Sequence, residues 1–282
     1  MTILEAIERA KRIRAKQTRA HEDVGTQHVE SGAPMRRAKI DVLPSHVPSL
    51  DYSRLNLIPE ACEENRVLLT GDPGHPHARA ADSYRILRTR LRHHIVADQL
   101  TSFGIVSVGA DEGKSVTAIN LALSFASERR RNVYLLDLDL RNPSLCRYLG
   151  ISPTAEIGSC LAGAVRPGEV FFTVGLDNLA IAGGLTSYNN SSELLGGAAL
   201  TELLDHIKQT DPYAMVVVDL PPLLQSADAM VVAPHLTAML LVVAEGVTRR
   251  DYLVRASEVL AGMAVAGVVL NRSREAVEEY YG

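Results

Sequence analysis

FGIVSVGADEGKS, residues 103–115, joins a short run of branched and aromatic apolar residues to a polar, glycine-containing turn, and the VTAINLALSFA that follows has helical spacing. A strand, a turn and a helix N-terminus in that order make a cradle for an anion, because backbone amides and the positive end of the helix face the same point. Lys114 adds a mobile cation and the Ser115 hydroxyl can ligate magnesium. The spacing is not the usual GxxxxGK[ST], since Val108 stands where the first glycine belongs and Gly109 comes one place late. A plain strand-to-helix turn, using Gly113 for its backbone and Lys114 for solubility, accounts for the same residues.

Further strand-like runs follow at VYLLDLD (133–139), AMVVVDL (214–220), AMLLVVA (238–244) and VAGVVLN (265–271). Helical patterns separate them: from Lys114, around Ser192 to Gln209, near Ala227 and from Arg250. Unbroken Val, Ile and Leu runs belong to strands buried on both faces, and their alternation with helices predicts an α/β fold with a mostly parallel sheet and helices on both sides. In such sheets ligands bind beyond the carboxyl ends of the strands. Two of those ends are acidic. Asp137 and Asp139 leave one strand together and Asp219 ends another, followed by Pro221-Pro222. Carboxylates at the end of a buried strand call for cations, which magnesium and Lys114 would provide. An aspartate capping the next helix, with Arg141 as its ion partner, is the alternative for the first pair.

The composition is that of an ordinary globular protein: 282 residues, 46% apolar, 22% charged, net charge −4. Three cysteines, Cys62, Cys146 and Cys160, contain no CxxC pair and suggest neither a disulfide framework nor a thiolate zinc site. No apolar run approaches the roughly 18–20 residues of a membrane span, and the N-terminus lacks the features of a secretory signal. A cytoplasmic protein is expected. Residues 1–20 carry a charge of +4, leaving −8 for the rest, and Ile3, Leu4, Ile7 and Ala10 recur at helical spacing. A basic amphipathic helix here suits docking to an anionic membrane surface or a partner helix, and equally a solvated tail. Residues 21–78, punctuated by six prolines without apolar period, read as a linker or extended arm before a domain over 79–282. The pairs His75/His77 and His93/His94 have no acid or cysteine at ligand spacing and read as surface histidines.

The segments after residue 79 resemble the bacterial tyrosine kinases of capsule and exopolysaccharide assembly, a branch of the deviant-Walker P-loop ATPases that includes MinD and ParA. The resemblance lies in LLDLDLR (135–141), which matches that family's Walker A′ pattern, in Asp219-Leu220-Pro221-Pro222, and in SYRILRT (83–89), SELL (192–195), SADA (226–229) and GVVLNR (267–272). It implies a phosphate loop over Gly109, Ala110, Asp111, Glu112, Gly113, Lys114, Ser115 and Val116 that binds ATP. Lys114 would neutralise the β and γ phosphates; Ser115, Asp137, Asp139 and Asp219 would hold Mg²⁺ or its waters; Asn271 would read the adenine edge. Asp137 or Asp139, with Asp137 favoured, would deprotonate an incoming tyrosine. The phosphoacceptors would be Tyr280 and Tyr281 of a neighbouring subunit.

The resemblance also implies a homo-oligomer joined through an ExxRxxR helix, here Asp82 to Arg88 with Asp for Glu. A transmembrane polysaccharide co-polymerase on a separate chain is the implied partner, at the inner face of the membrane; nucleic acid is not. Ala110-Asp111 replaces the family's Pro-Gly, and the extra carboxylate beside Glu112 opposes phosphate binding unless both acids point outward. A kinase-poor, nucleotide-dependent scaffold and a MinD- or ParA-like positioning ATPase are the competing functions. The latter usually carries a signature lysine that Gly109 and Ala110 do not supply.

Overall fold

The computed structural model describes residues 47–69, 78–95 and 101–273, excluding the His93 side chain. In chain order these residues form β1 (Ser53–Arg54), α1 (Pro59–Glu64), α2 (Ala78–Leu91), β2 (Thr101–Ser107), α3 (Lys114–Ala126), β3 (Val133–Asp137), α4 (Leu145–Leu149) and α5 (Ile157–Leu161). There follow β4 (Phe172–Val174), β5 (Leu176–Ala182), α6 (Ser191–Leu195), α7 (Ala198–Thr210), β6 (Met215–Asp219), α8 (Asp228–Val232), β7 (Ala238–Ala244), α9 (Arg250–Val259) and β8 (Val265–Asn271). The sheet has eight strands in the order β1-β4-β5-β3-β6-β2-β7-β8, parallel throughout except where β4 meets β5.

Strands β2, β3, β6 and β7 are buried along their whole length. Their side chains alternate between two cores. Tyr134, Leu136, Val216 and Val218 face the helices α5 to α9, while Phe103, Ile105, Leu135 and Val217 face α2, α3 and α4. Helix α3 buries ten of its thirteen residues, as its nearly continuous apolar sequence demands. The expected parallel α/β architecture is therefore present.

Three details depart from the sequence expectations. Residues 47–69, expected inside a linker or extended arm before the domain, pack on the domain: β1 pairs with Phe172 and Thr173, Cys62 and Val67 are buried, and Tyr52 lies edge-on to Tyr134. Asn120 of α3 ties this segment down, its Oδ1 accepting from Leu68 N (2.8 Å) and its Nδ2 donating to the Arg66 carbonyl (3.0 Å). Apolar residues used singly against a sheet edge leave no period to read. The helical stretch around 192–209 is two helices, because Gly197 adopts extended backbone (φ −80°, ψ 170°) between them. Finally, the β4–β5 hairpin, turning at Gly175 (φ +64°), goes unread in the sequence: β4 has three residues, and Asp177-Asn178 interrupts the apolar run of β5.

The amphipathic helix expected over 1–20, His75, His77, Tyr280 and Tyr281 lie outside the described residues. His94 is exposed. Within α2, Asp82 pairs with Arg85 one turn away, and Arg88 Nε lies 3.0 Å from Glu128 Oε1 at the end of α3.

Candidate active site

Register places the acids. β3 and β6 pair so that Asp137 stands opposite Asp219, and β2 on the other side of β6 delivers the 109–113 loop at the same edge. Helix α3 then starts at Lys114, after Gly113 in left-handed conformation (φ +91°). A Cβ on Gly113 would stand 2.1 Å from Asn271 Nδ2, so space as well as backbone demands glycine.

From α3 the Lys114 ammonium reaches across the strand ends. Its Nζ lies 2.7 Å from Asp139 Oδ2, 3.4 Å from Asp219 Oδ1 and 3.1 Å from Ser115 Oγ. Burial alone would push this ammonium's pKa down; Asp219 first and Asp139 next reverse the effect and raise it. Lysine is thus held charged within hydrogen-bonding or ion-pairing reach of two acids from separate strands.

Asp137 is used differently. Its Oδ2 accepts from Ser144 N (2.9 Å) and Leu145 N (3.0 Å), capping α4 as the capping alternative required, while its buried Oδ1 has no hydrogen-bond partner among the described residues. Burial first, then the neighbouring Asp219 charge, push its pKa up to about 7. Asp219, also fully buried, is raised by the same desolvation against the pull of Lys114. Arg141, however, pairs with Asp228 rather than with either acid of its own turn.

Of the two loop acids expected to point outward if phosphate is to bind, Glu112 does not. It is buried, with Oε2 accepting from Val108 N (2.8 Å) and Gly109 N (3.1 Å) and Oε1 from Thr248 Oγ1 (2.6 Å). Thr248 in turn accepts from Ala244 N at the end of β7 (2.8 Å), so the loop is braced from inside. Exposed Asp111 occupies the family's glycine position in left-handed conformation (φ +57°), which a short polar side chain tolerates best among non-glycine residues. Asn271 does reach the loop, as a tie: its Nδ2 donates to the Glu112 carbonyl (2.9 Å) and its Oδ1 accepts from Arg272 N (2.9 Å). Gly109, Ala110 and Val116 flank the same turn. Sequence reasoning missed Thr248 and gave Asp228, although quoted within 226–229, no role; the packing of distant segments reveals both. A cavity of about 460 Å³ between Arg166 and Glu202 shares no residue with this site.

Among the described residues no three of His, Cys, Asp and Glu converge into a cation cage. The donor set that surrounds the Lys114 ammonium is one hydroxyl and two carboxylates, Ser115, Asp139 and Asp219. Such oxygens suit magnesium, which keeps several waters and takes one or two carboxylates, and the ammonium occupies the place of a cation among them.

No family model matches the chain. It is 30% identical over 212 residues to the tyrosine-protein kinase YwqD of Bacillus subtilis, covering 73% of this chain and 87% of that one. The chain belongs to the bacterial tyrosine kinases of capsule and exopolysaccharide biosynthesis. Its activity is that of a protein-tyrosine kinase. The succinoglycan biosynthesis transport protein ExoP of Rhizobium meliloti is 31% identical over 210 residues, 70% of this chain but 25% of ExoP. The kinase domain of the Escherichia coli tyrosine kinase ETK superposes with a TM-score of 0.61 at 26% identity, covering 72% of this chain and 80% of that one. No helix among the described residues is long and apolar enough to cross a membrane.

Proposed function

We propose that this kinase transfers the γ-phosphate of Mg-ATP to Tyr280 or Tyr281 of a neighbouring copy and thereby regulates polysaccharide polymerisation or export beside a separate transmembrane co-polymerase. The observation that carries the reading is the Lys114 ammonium held between Asp139 and Asp219, the counter-charge arrangement that phosphoryl transfer needs. Backbone amides of 109–115 and the N-terminus of α3 receive the phosphates, and Lys114 exchanges its carboxylate partners for phosphate oxygens. Ser115, Asp139 and Asp219 would hold magnesium or its waters, supplying charge neutralisation at the transferring group. The tyrosine oxygen forms the new O–P bond as the bond to the β,γ-bridging oxygen breaks; ADP leaves, and the phenolic proton passes to Asp137. Of the two candidate bases, Asp137 keeps an oxygen without a partner, while both oxygens of Asp139 are engaged by Lys114 and Asn142 N.

Phosphate added beside Glu278 and Glu279 introduces roughly −1.5 to −2 charge and repels the segment from an acidic site, which makes modification an assembly switch. Peptide mass spectrometry of the purified chain after incubation with Mg-ATP tests the proposal. Phosphate on Tyr280 or Tyr281 in wild type and none in Lys114→Met supports it; no ATP-dependent phosphotyrosine at either position overturns it.

A further inference from the structure

Three strand-end segments meet at one buried carboxylate. Asp228, the first residue of α8, is fully buried; it accepts from Ser191 Oγ (2.7 Å) and from Ser192 Oγ, and its N–H donates to Ser226 Oγ (3.0 Å). Arg141 Nε, from the turn after Asp139, lies 3.5 Å from Asp228 Oδ2. Burial works against ionising Asp228, but the hydroxyls of Ser192, Ser191 and Ser226, with Arg141 adding to them, hold its carboxyl below the usual range. The anchor is therefore charged and fixed, and it holds Arg141 through Nε. The arginine side chain is still 48% exposed, and Asp228 is its one ion partner among the described residues. A guanidinium held on one side presents its remaining donors to a second anion.

Three other described cations at these strand ends are already engaged. Lys114 is shared by Asp139 and Asp219, Arg272 donates to the Asp111 carbonyl after β8, and Arg249 after β7 pairs with Asp251 (2.8 Å) and covers the Tyr252 ring. The edge otherwise gathers three carboxylates, Asp137, Asp139 and Asp219, which repel any acidic peptide. The acceptor tyrosines follow two acids directly, Glu278-Glu279-Tyr280-Tyr281. Such a segment enters an acidic edge only where a cation receives it.

We propose that Arg141 is the acceptor-recognition residue. Positioned by Asp228, it receives the carboxylate of Glu278 or Glu279 from a second copy of this chain and so selects acidic residues immediately before the tyrosine. This rests on the reading that Tyr280 and Tyr281 are acceptors in trans. The test uses the full chain with Tyr280→Phe/Tyr281→Phe as enzyme and synthetic peptides of residues 275–282 as substrates, either native or carrying Glu278→Gln and Glu279→Gln. The native peptide is expected to have a KM about ten-fold lower than the neutral one. In Arg141→Gln that ratio falls to about one, and Arg141→Glu prefers a peptide carrying Glu278→Lys and Glu279→Lys. Asp228→Asn lowers the acidic-to-neutral preference although Arg141 is intact, with ADP binding reporting that the variant is folded. Equal KM values for both peptides in the wild-type background, or an Arg141→Gln effect equal on both, overturns the proposal. Phosphorylation of neither peptide by that enzyme instead removes the acceptor reading beneath it, and the proposal with it.

Discussion

Glu112→Ala separates two opposite views of the phosphate loop. If the carboxylate faced the nucleotide, its removal would relieve repulsion, tighten ATP binding and leave stability alone. In the structure it accepts from Val108 N, Gly109 N and Thr248 Oγ1, and alanine leaves two backbone donors and a hydroxyl without their partner. A buried donor without a partner costs about 1–3 kcal/mol, and partial access of water at the loop brings the total to about 2–4 kcal/mol. For a folded region of this size that lowers Tm by roughly 5–15 °C. Nucleotide affinity should fall with it, because the amides at the start of the loop lose the anchor that orients them. Thermal unfolding with and without ADP, together with calorimetric titration of ADP, measures both quantities. Glu112→Gln, which keeps an acceptor oxygen, should show roughly a third of the stability loss. An unchanged Tm with tighter ADP binding in Glu112→Ala would refute the internal brace.

Gly113→Ala puts a Cβ into the Asn271 amide at a backbone angle that alanine resists, so a loss of about 1–3 kcal/mol in urea unfolding and at least ten-fold weaker ADP binding are expected. Asp137→Asn should abolish tyrosine phosphorylation without destabilising the fold at pH 8. A carboxyl whose folded pKa is raised stabilises only at low pH and loses ground as pH rises from about 4 to about 7, so the variant gains on wild type across that window in urea midpoints. Glu156 has the reverse sign. Burial opposes its ionisation, but the N–H groups of Thr186 and Leu185 and the Tyr188 hydroxyl hold its pKa below the usual value, so its contribution is full above about pH 4.5 and is lost on acidification. Glu156→Gln should flatten the acid limb of the stability profile between pH 3 and 5, and an unchanged limb would contradict the assignment.

Local signals carried much of the architecture and the chemistry. Unbroken apolar runs announced β2, β3, β6, β7 and β8, and the acids ending two of them marked the site before any register was known. Lys114, Asp139 and Asp219 come together because a parallel sheet delivers every loop to one edge, which is a rule of topology readable from strand order alone. What stayed hidden depends on side-chain direction and on long-range partners. Glu112 looks from its neighbours like an exposed acid, and nothing near it in sequence announces Thr248, 136 residues on, as the group that draws it inward. Asp228 joins Ser191, Ser192 and Arg141 from three separate segments, a convergence that their spacing along the chain does not announce. The 47–69 segment was opaque because its anchors, Asn120 and Asn132, bond its backbone rather than its side chains.

A crystal structure of the chain with Mg-ADP bears most directly on the catalytic arrangement. Lys114 Nζ should leave Asp139 and Asp219 for the β-phosphate, with the metal bound beside Ser115 on the carboxylate side that the ammonium has vacated. A nucleotide bound away from residues 109–115, or a metal that touches neither Ser115 nor the waters of Asp139 and Asp219, would contradict it.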